Sequence, residues 1–183
     1  MTVGSQIVFI QGGGAGTHDE WDNKLVDSLR SRLGGVEIYY PRMPDEGDPS
    51  YAAWNPAIRR ELTGLDDRAI AIGHSIGGPL LIQTLSEQPE PTPLAAIVLI
   101  SAPFIGPGGW AGDEFELPND LGTRLPPSAA VHLFHGLEDD IVPAAHAERY
   151  ADVTPQATVH RLPGRDHQLN NDLREVASVL TTL

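Results

Sequence analysis

The chain has no cysteine, which excludes disulfides, a thiolate nucleophile and cysteine-bound zinc. That absence lends no support to a small secreted scaffold held by cross-links. Basic residues are scarce: 12 Lys and Arg stand against 25 Asp and Glu, a formal net charge of −13. A surface of that sign repels phosphate backbones and anionic headgroups, so neither a nucleic-acid nor a membrane partner is expected. The simplest role of the charge is to keep the protein dispersed rather than to steer a substrate. No apolar run approaches the roughly 20 residues of a membrane span. The first residues, Met1-Thr2-Val3-Gly4-Ser5-Gln6, carry no basic stretch followed by a long apolar one, so no signal peptide and a cytoplasmic location are expected. No segment repeats with a period of about 20–50 residues, which removes solenoids. The spacing His-Glu-x-x-His is missing too, so the histidines are not read as zinc ligands.

What is present suits one domain, spanning residues 1–183, with a sizeable core. Forty per cent of the residues are hydrophobic and 20% charged, as in ordinary globular proteins. The 19 glycines and 16 prolines lie between apolar segments and read as turns.

Apolar runs alternate with helix-periodic segments. Ile7-Val8-Phe9-Ile10 is continuous enough for a strand buried on both faces. Trp21, Leu25, Val26, Leu29 and Leu33 then recur at helical spacing, and Gly34-Gly35 stops that helix. Val36–Tyr40 is a second strand closed by Pro41. Ile58, Leu62 and Leu65 mark a second helix, with Pro56 expected in its first turn, where a missing N–H does no harm. Ala69-Ile70-Ala71-Ile72, the run from Ala96 to Ile100, Ala130–Phe134 and Thr158–Leu162 supply four more strands. Helices follow at Leu80–Leu85, around 144–151, and finally where Leu173, Val176, Ala177 and Leu180 share a face. Such alternation predicts an α/β fold: a three-layer α/β/α sandwich around a mostly parallel sheet of about six strands. In such sheets ligands gather at the carboxyl ends of the strands. The connection 102–128 exceeds ordinary loop length and reads as a short lid or pocket loop. Its Phe104, Trp110 and Phe115 are candidates to line a substrate pocket or, equally, to pin the loop to the sheet.

Gly73-His74-Ser75-Ile76-Gly77 follows the third strand and precedes the third helix. A glycine-flanked serine between strand and helix makes the sharp turn that lifts a nucleophilic hydroxyl out of a sheet. Such a hydroxyl needs an imidazole to take its proton and an acid to fix that imidazole's tautomer. In parallel-sheet enzymes of this kind the chain order is Ser, acid, His. After the fifth strand comes His135-Gly136-Leu137-Glu138-Asp139-Asp140-Ile141-Val142-Pro143. Asp139 is chosen as the acid on its Gly-x-x-Asp…Val-Pro spacing, over Asp140 and the weaker Glu138; Asp140 suits a helix cap. After the sixth strand, the loop Gly164-Arg165-Asp166-His167 places His167 at the same edge, as the base. The oxyanion of a tetrahedral intermediate needs two backbone N–H groups. One is expected from Ile76, after the nucleophile, and the other from Gly12 or Gly13 in the loop behind the first strand. His18 and His135 are candidates to reach the substrate, and His74 to form a wall of the serine turn and touch substrate there. His132 and His160 lie inside strands and read as packed or sheet-facing.

The glycine run 12–16 also invites a nucleotide-binding reading. It fails: Thr17 and Asp19 stand where Gly-x-Gly-x-x-Gly needs its last glycine, and no Gly-Lys-Ser/Thr follows.

With Ser75, Asp139 and His167 placed, nearly the whole chain resembles the α/β-hydrolase superfamily. More narrowly, it is similar to the small single-domain serine hydrolases typified by retinoblastoma-binding protein nine. The resemblance is carried by the glycine loop, Trp54-Asn55-Pro56, Ile72-Gly73-His74-Ser75, Asp139-Asp140 and Asp166-His167-Gln168. It implies a minimal α/β-hydrolase fold and a cofactor-free serine hydrolase of carboxylesterase type acting on a small acyl substrate; some members cleave amides or aminoacyl groups instead. The departures, in the run 12–16 and the loop 102–128, both border the expected pocket, so substrate preference does not carry over. A binding protein on a hydrolase scaffold is the alternative from another class. Oligomeric state is not written in the sequence.

Overall fold

The computed structural model describes residues 6–88 and 92–183. The expectation of no signal peptide concerns residues 1–5, which lie outside the described residues. Six strands form one parallel sheet in the order β2-β1-β3-β4-β5-β6. They are β1 (Gln6–Ile10), β2 (Glu37–Tyr39), β3 (Ile70–His74), β4 (Ala96–Ile100), β5 (Ala130–Gly136) and β6 (Ala157–Leu162). The helices are α1 (Asp22–Arg32), α2 (Tyr51–Thr63), α3 (Gly77–Ser86), the single turn α4 (Leu121–Arg124), α5 (Ala145–Val153) and α6 (Arg174–Leu180).

Two separate hydrophobic clusters make the fold three-layered. One joins Trp54, Ile58 and Leu62 of α2, Leu81 and Leu85 of α3, and Tyr150 of α5 to Val8, Ala71, Ile97 and Leu133 of the sheet. The other packs Leu25 and Leu29 of α1 and Val176 and Leu180 of α6 against Ile7, Phe9, Ile72, Val98 and Phe134. Strand residues alternate between the two clusters, as the period of two demands. Because both faces are covered, β3 and β4 are fully buried, and apart from His74 at the carboxyl end of β3 they carry no polar side chain. Each Leu, Ile or Phe so buried contributes about 1.5–3 kcal/mol of transfer free energy. β6, at the sheet's edge, is half-exposed.

The strand order reverses direction between β1 and β3, with β2 on one side and β4 on the other. Connections leaving β1 and β3 therefore diverge to opposite faces and open a crevice at their carboxyl ends. That crevice is where the glycine loop and Ser75 lie.

Three local readings change. Pro56 lies in the middle of α2, not in its first turn. The helix starts earlier because Ser50 caps it, its Oγ accepting the Ala53 amide at 3.3 Å. Glu114 adds a second cap, its carboxylate accepting the amides of Tyr51 and Ala52 at 2.7 and 2.8 Å. Trp21 is 52% exposed rather than core. A wide π-helical turn, Thr17–Trp21, precedes α1, and its extra residue per turn rotates Trp21 off the buried face set by Leu25 and Leu29.

The third change concerns the segment 102–128, which packs inward. Phe104 is buried edge-on against Tyr150, with ring centroids 5.2 Å apart. Trp110 meets His146 at 5.6 Å and Phe115 meets Tyr51 at 4.9 Å. With Glu114 bonded to α2, these contacts pin the segment to the body of the protein.

No helix among the described residues is long and apolar enough to cross a membrane. The described residues also hold no group of three or more His, Cys, Asp or Glu placed to bind a metal ion.

Candidate active site

Ser75 occupies the left-handed region, with φ 50°, a conformation that a non-glycine residue keeps only where its surroundings impose it. Here they do. The Ser75 amide donates to Ile100 O at 2.9 Å, and Ser75 O accepts the Gly78 amide at 2.9 Å. The turn is tight enough to need glycine on both sides. A Cβ on Gly73 would come within 2.7 Å of Gly78 Cα, and one on Gly77 within 2.1 Å of Gln11 O.

His167, in the loop after β6, brings Nε2 to 3.0 Å from Ser75 Oγ. Its Nδ1 lies 2.8 Å from Asp139 Oδ2. Asp139 follows β5 and is firmly held: Oδ1 accepts the Ile141 and Val142 amides at 2.9 and 2.8 Å. His135 stands behind it, with Nε2 3.3 Å from Asp139 Oδ2 and 2.8 Å from Val142 O. Burial pushes the Asp139 carboxyl up, but the hydrogen bonds from His135, His167 and the Val142 amide outweigh it and hold the group well below the usual carboxylate range. Asp139 is therefore an anion at neutral pH. It accepts the His167 Nδ1 proton, which leaves Nε2 free to take the serine's. Asp140 makes no such contact and is exposed at the rim.

Of the two glycines expected as a second oxyanion donor, one keeps a free amide. Gly12 N–H donates to Asp22 Oδ2 at 2.7 Å, so Gly12, one of the two sequence candidates, is already engaged. Gly14 N–H donates to Glu46 O. Gly13 lies between them, lines the cavity and donates to no acceptor among the described residues. The Ile76 amide is equally unengaged. A Cβ at Gly13 would strike Pro49 at 2.6 Å and Ile76 at 2.9 Å, so only glycine lets this loop approach the serine turn.

Ser75 and His167 open onto a cavity of about 470 Å³. Trp21 and Ile141, 52% and 57% exposed, give it apolar walls. Asp140, Asp166 and Gln168 stand on its rim and Gly13, Gly14, Ala15 and Thr17 along its floor.

Four of the sequence candidates for substrate contact lie elsewhere. His18 stacks on Tyr40 at 4.1 Å and bonds to Asp19 and to Tyr40 O. Phe104 is buried in the core, Trp110 is partly exposed with its ring edge-on to His146, and Phe115 lines a separate hollow of about 200 Å³ beyond Ile76. Their hydrophobicity serves packing of 102–128, and no residue of that segment lines the 470 Å³ cavity. His135, also considered for substrate contact, is buried behind Asp139. His74 does line the cavity, but both its ring nitrogens face protein acceptors: Asp22 Oδ2 at 2.9 Å and His167 O at 3.2 Å.

Two residues went unnoticed in the sequence. Asp22 is fully buried. An aspartate opening a helix reads as an ordinary partner of the helix dipole, so nothing local marks it. Its charged form is opposed by burial yet held below the ordinary carboxylate range by His74, with help from Gly12 and Gln168. His74 moves the other way: burial lowers its pKa, but the Asp22 carboxylate, with the His167 carbonyl and Asp139, raises it by more. Glu46 organises the glycine loop, its carboxylate accepting from Gln11 Nε2 and the amides of Gly16 and His18 at 2.7–3.0 Å.

The alpha/beta hydrolase family model matches residues 7–175. No curated protein matches the sequence. The fold is similar to that of the ydeN gene product of B. subtilis, with a TM-score of 0.75 at 20% identity over 97% of each chain. It is also similar to a serine hydrolase involved in carbazole degradation, the CarC enzyme, with a TM-score of 0.74 at 12% identity, covering 99% of this chain and 91% of that one. A third similar structure is Est1E from Butyrivibrio proteoclasticus with ferulic acid bound, at TM-score 0.69 and 16% identity, covering 97% of this chain and 86% of that one.

Proposed function

The chain belongs to the alpha/beta hydrolase family, and on that premise we propose that it is a serine hydrolase of carboxylesterase type, cleaving small acyl esters through Ser75, His167 and Asp139. The observation that carries this reading is the unbroken relay from Ser75 Oγ to His167 Nε2 at 3.0 Å and from His167 Nδ1 to Asp139 Oδ2 at 2.8 Å, opening on a cavity.

Ser75 Oγ attacks the acyl carbon while His167 Nε2 takes its proton. The carbonyl oxygen becomes an oxyanion between the amides of Gly13 and Ile76. Asp139 stabilises the imidazolium without itself taking the proton. His167 then protonates the departing alkoxide as the ester C–O bond breaks. Water, deprotonated by His167, attacks the acyl-enzyme and returns Ser75 with a free acid. The cavity volume of about 470 Å³ lies in the range of small-molecule sites, and the walls made by Trp21 and Ile141 favour apolar acyl or aryl groups.

A fluorophosphonate probe and p-nitrophenyl acetate or butyrate test the reading. Wild type should be labelled and should turn over the esters, whereas Ser75→Ala and His167→Ala should lose turnover and Ser75→Ala should also lose label. Equal labelling of wild type and Ser75→Ala removes Ser75 from the role. Turnover of aminoacyl amides in preference to esters would move the substrate class while leaving the machinery in place.

A further inference from the structure

Asp22 contributes no group to the chemistry proposed above, yet the glycine loop, the nucleophile turn and the base loop are all tied to it. Its Oδ2 accepts the Gly12 amide at 2.7 Å and faces His74 Nδ1 at 2.9 Å. Its Oδ1 accepts Gln168 Nε2 at 3.2 Å. His74 passes the connection on, its Nε2 lying 3.2 Å from the carbonyl oxygen of His167. One carboxylate on α1 thus joins the glycine loop, the nucleophile turn and the base loop, at sequence separations of 10, 52 and 146 residues.

The protonation state follows from the partners. A carboxylate and a carbonyl are both acceptors, so His74 donates from both nitrogens and is an imidazolium. Asp22 and His74 form an ion pair that is 0% and 1% exposed. Such pairs are poor sources of stability, because desolvation offsets much of the attraction. What this one does well is hold direction. The Gly12 amide is committed to Asp22 and the Gly14 amide to Glu46 O. Gly13, between two fixed neighbours, is left with an unengaged N–H at the cavity.

We propose that the Asp22–His74 pair is the positioning element of the site: it sets the Gly13 amide as an oxyanion donor by engaging Gly12, and it anchors the main chain of His167. The proposal rests on the serine-hydrolase reading. Asp22 and His74 touch no reacting atom in it; they act through Gly13 and His167.

Asp22→Ala tests it. Alanine removes the one oxygen, Oδ2, that accepts from Gly12 and faces His74, and with it the charge that partners His74. The expected result is a fall in kcat of about 10²-fold, the usual effect of losing an oxyanion donor, with KM within about twofold of wild type. Affinity for a trifluoromethyl ketone, whose serine adduct places an oxyanion in the same hole, should fall by the same factor as kcat/KM. A purely structural role would lower the melting temperature and leave kcat and ketone affinity of the folded fraction unchanged; that result overturns the proposal.

If Asp22→Ala does not fold, His74→Asn replaces it. Its side-chain amide keeps an N–H near the Nδ1 position for Asp22 and drops only the bond to His167 O. Its kcat should fall about tenfold at constant KM, a loss near 1.4 kcal/mol; wild-type kcat would overturn the proposal. Ser75→Ala run alongside separates the two failures. A dead Ser75→Ala beside a fully active Asp22→Ala or His74→Asn removes only the positioning role. A fully active Ser75→Ala removes the hydrolase mechanism itself.

Discussion

Asp139 divides its two carboxylate oxygens between its own loop and His167: Oδ1 accepts the amides of Ile141 and Val142, and Oδ2 meets His167 Nδ1 at 2.8 Å. Position and charge are thereby separable. Asp139→Asn keeps an oxygen for the loop amides but can turn its NH₂ toward His167. His167 Nδ1 then accepts instead of donating, and the proton moves to Nε2, where it faces Ser75 and blocks base action. We expect kcat to fall about 10⁴-fold with the fold retained. Steady-state turnover of p-nitrophenyl acetate, with melting curves as the control, measures both.

The pH dependence of stability should show two separate segments. Asp139 and Asp22 have lowered pKa values, so their contribution is present above the unfolded carboxylate value of about 3.9. It is lost as pH falls from there through the folded values. His132 and His160 act higher on the scale. Their rings meet across β5 and β6 with Nδ1 3.1 Å from Nε2. Burial lowers both, and for His132 the neighbouring His160 adds to the effect. A lowered histidine is neutral when the unfolded chain takes its proton, so stability falls as pH drops below about 6.5. His74, with its pKa raised, has the opposite sign: its contribution is present below about 6.5 and lost as pH rises through its folded value. Urea midpoints between pH 7.5 and 3 test this assignment: His160→Gln should flatten the segment between pH 7 and 5 and leave the decline below pH 4. An unchanged slope between pH 7 and 5 would remove the His132–His160 pair as its source.

The strand–helix alternation was legible because the runs 7–10, 70–72 and 96–100 are buried on both faces, which selects apolar side chains there. The serine turn was legible for a related reason: helix and strand approach so closely at Gly73 and Gly77 that the sequence has to carry glycine there. Asp139 could be preferred to Asp140 only through a spacing, since the difference between them is one of burial, which adjacent identical residues do not display. Asp22 and Glu46 were invisible. Each acts through backbone amides distant in the sequence, and an amide looks the same whatever residue bears it. Phe104, Trp110 and Phe115 left both readings open, because an aromatic ring that fills a core and one that walls a pocket have the same composition.

Gly77 gives a steric prediction independent of the chemistry. A Cβ there would lie 2.1 Å from Gln11 O and 2.8 Å from Ile10 O. Both are backbone atoms of β1 and its continuation, which no side-chain rotation can clear. Gly77→Ala should therefore push α3 off the sheet, costing about 3 kcal/mol and lowering Tm by about 10 °C. The displaced turn carries Ser75 and Ile76, so esterase activity should fall even well below Tm. Gly34→Ala is the matched control, since nothing lies within 4 Å of its added carbon; its stability should stay within about 0.5 kcal/mol of wild type. Calorimetry on the two variants decides the point.

The rim of the cavity predicts discrimination by charge. Asp140 and Asp166 both line the opening and are exposed, whereas no Lys or Arg lines it. A substrate bearing a carboxylate at the far end of its acyl chain would meet two exposed like charges at the rim, while the imidazolium of His74 is buried and already paired with Asp22. p-Nitrophenyl hemisuccinate and p-nitrophenyl butyrate have acyl groups of similar length and the same leaving group, so their comparison isolates that charge. At low ionic strength the hemisuccinate should show a kcat/KM about tenfold lower, equivalent to about 1.4 kcal/mol of repulsion at exposed sites. Because the charges are in water, the gap should narrow as salt shortens the Debye length from about 30 Å at 0.01 M toward about 3 Å at 1 M. The double variant Asp140→Asn/Asp166→Asn should close it at low salt without changing butyrate turnover. A gap that persists unchanged in that variant would mean that the apolar walls of Trp21 and Ile141, rather than the rim carboxylates, exclude the anion.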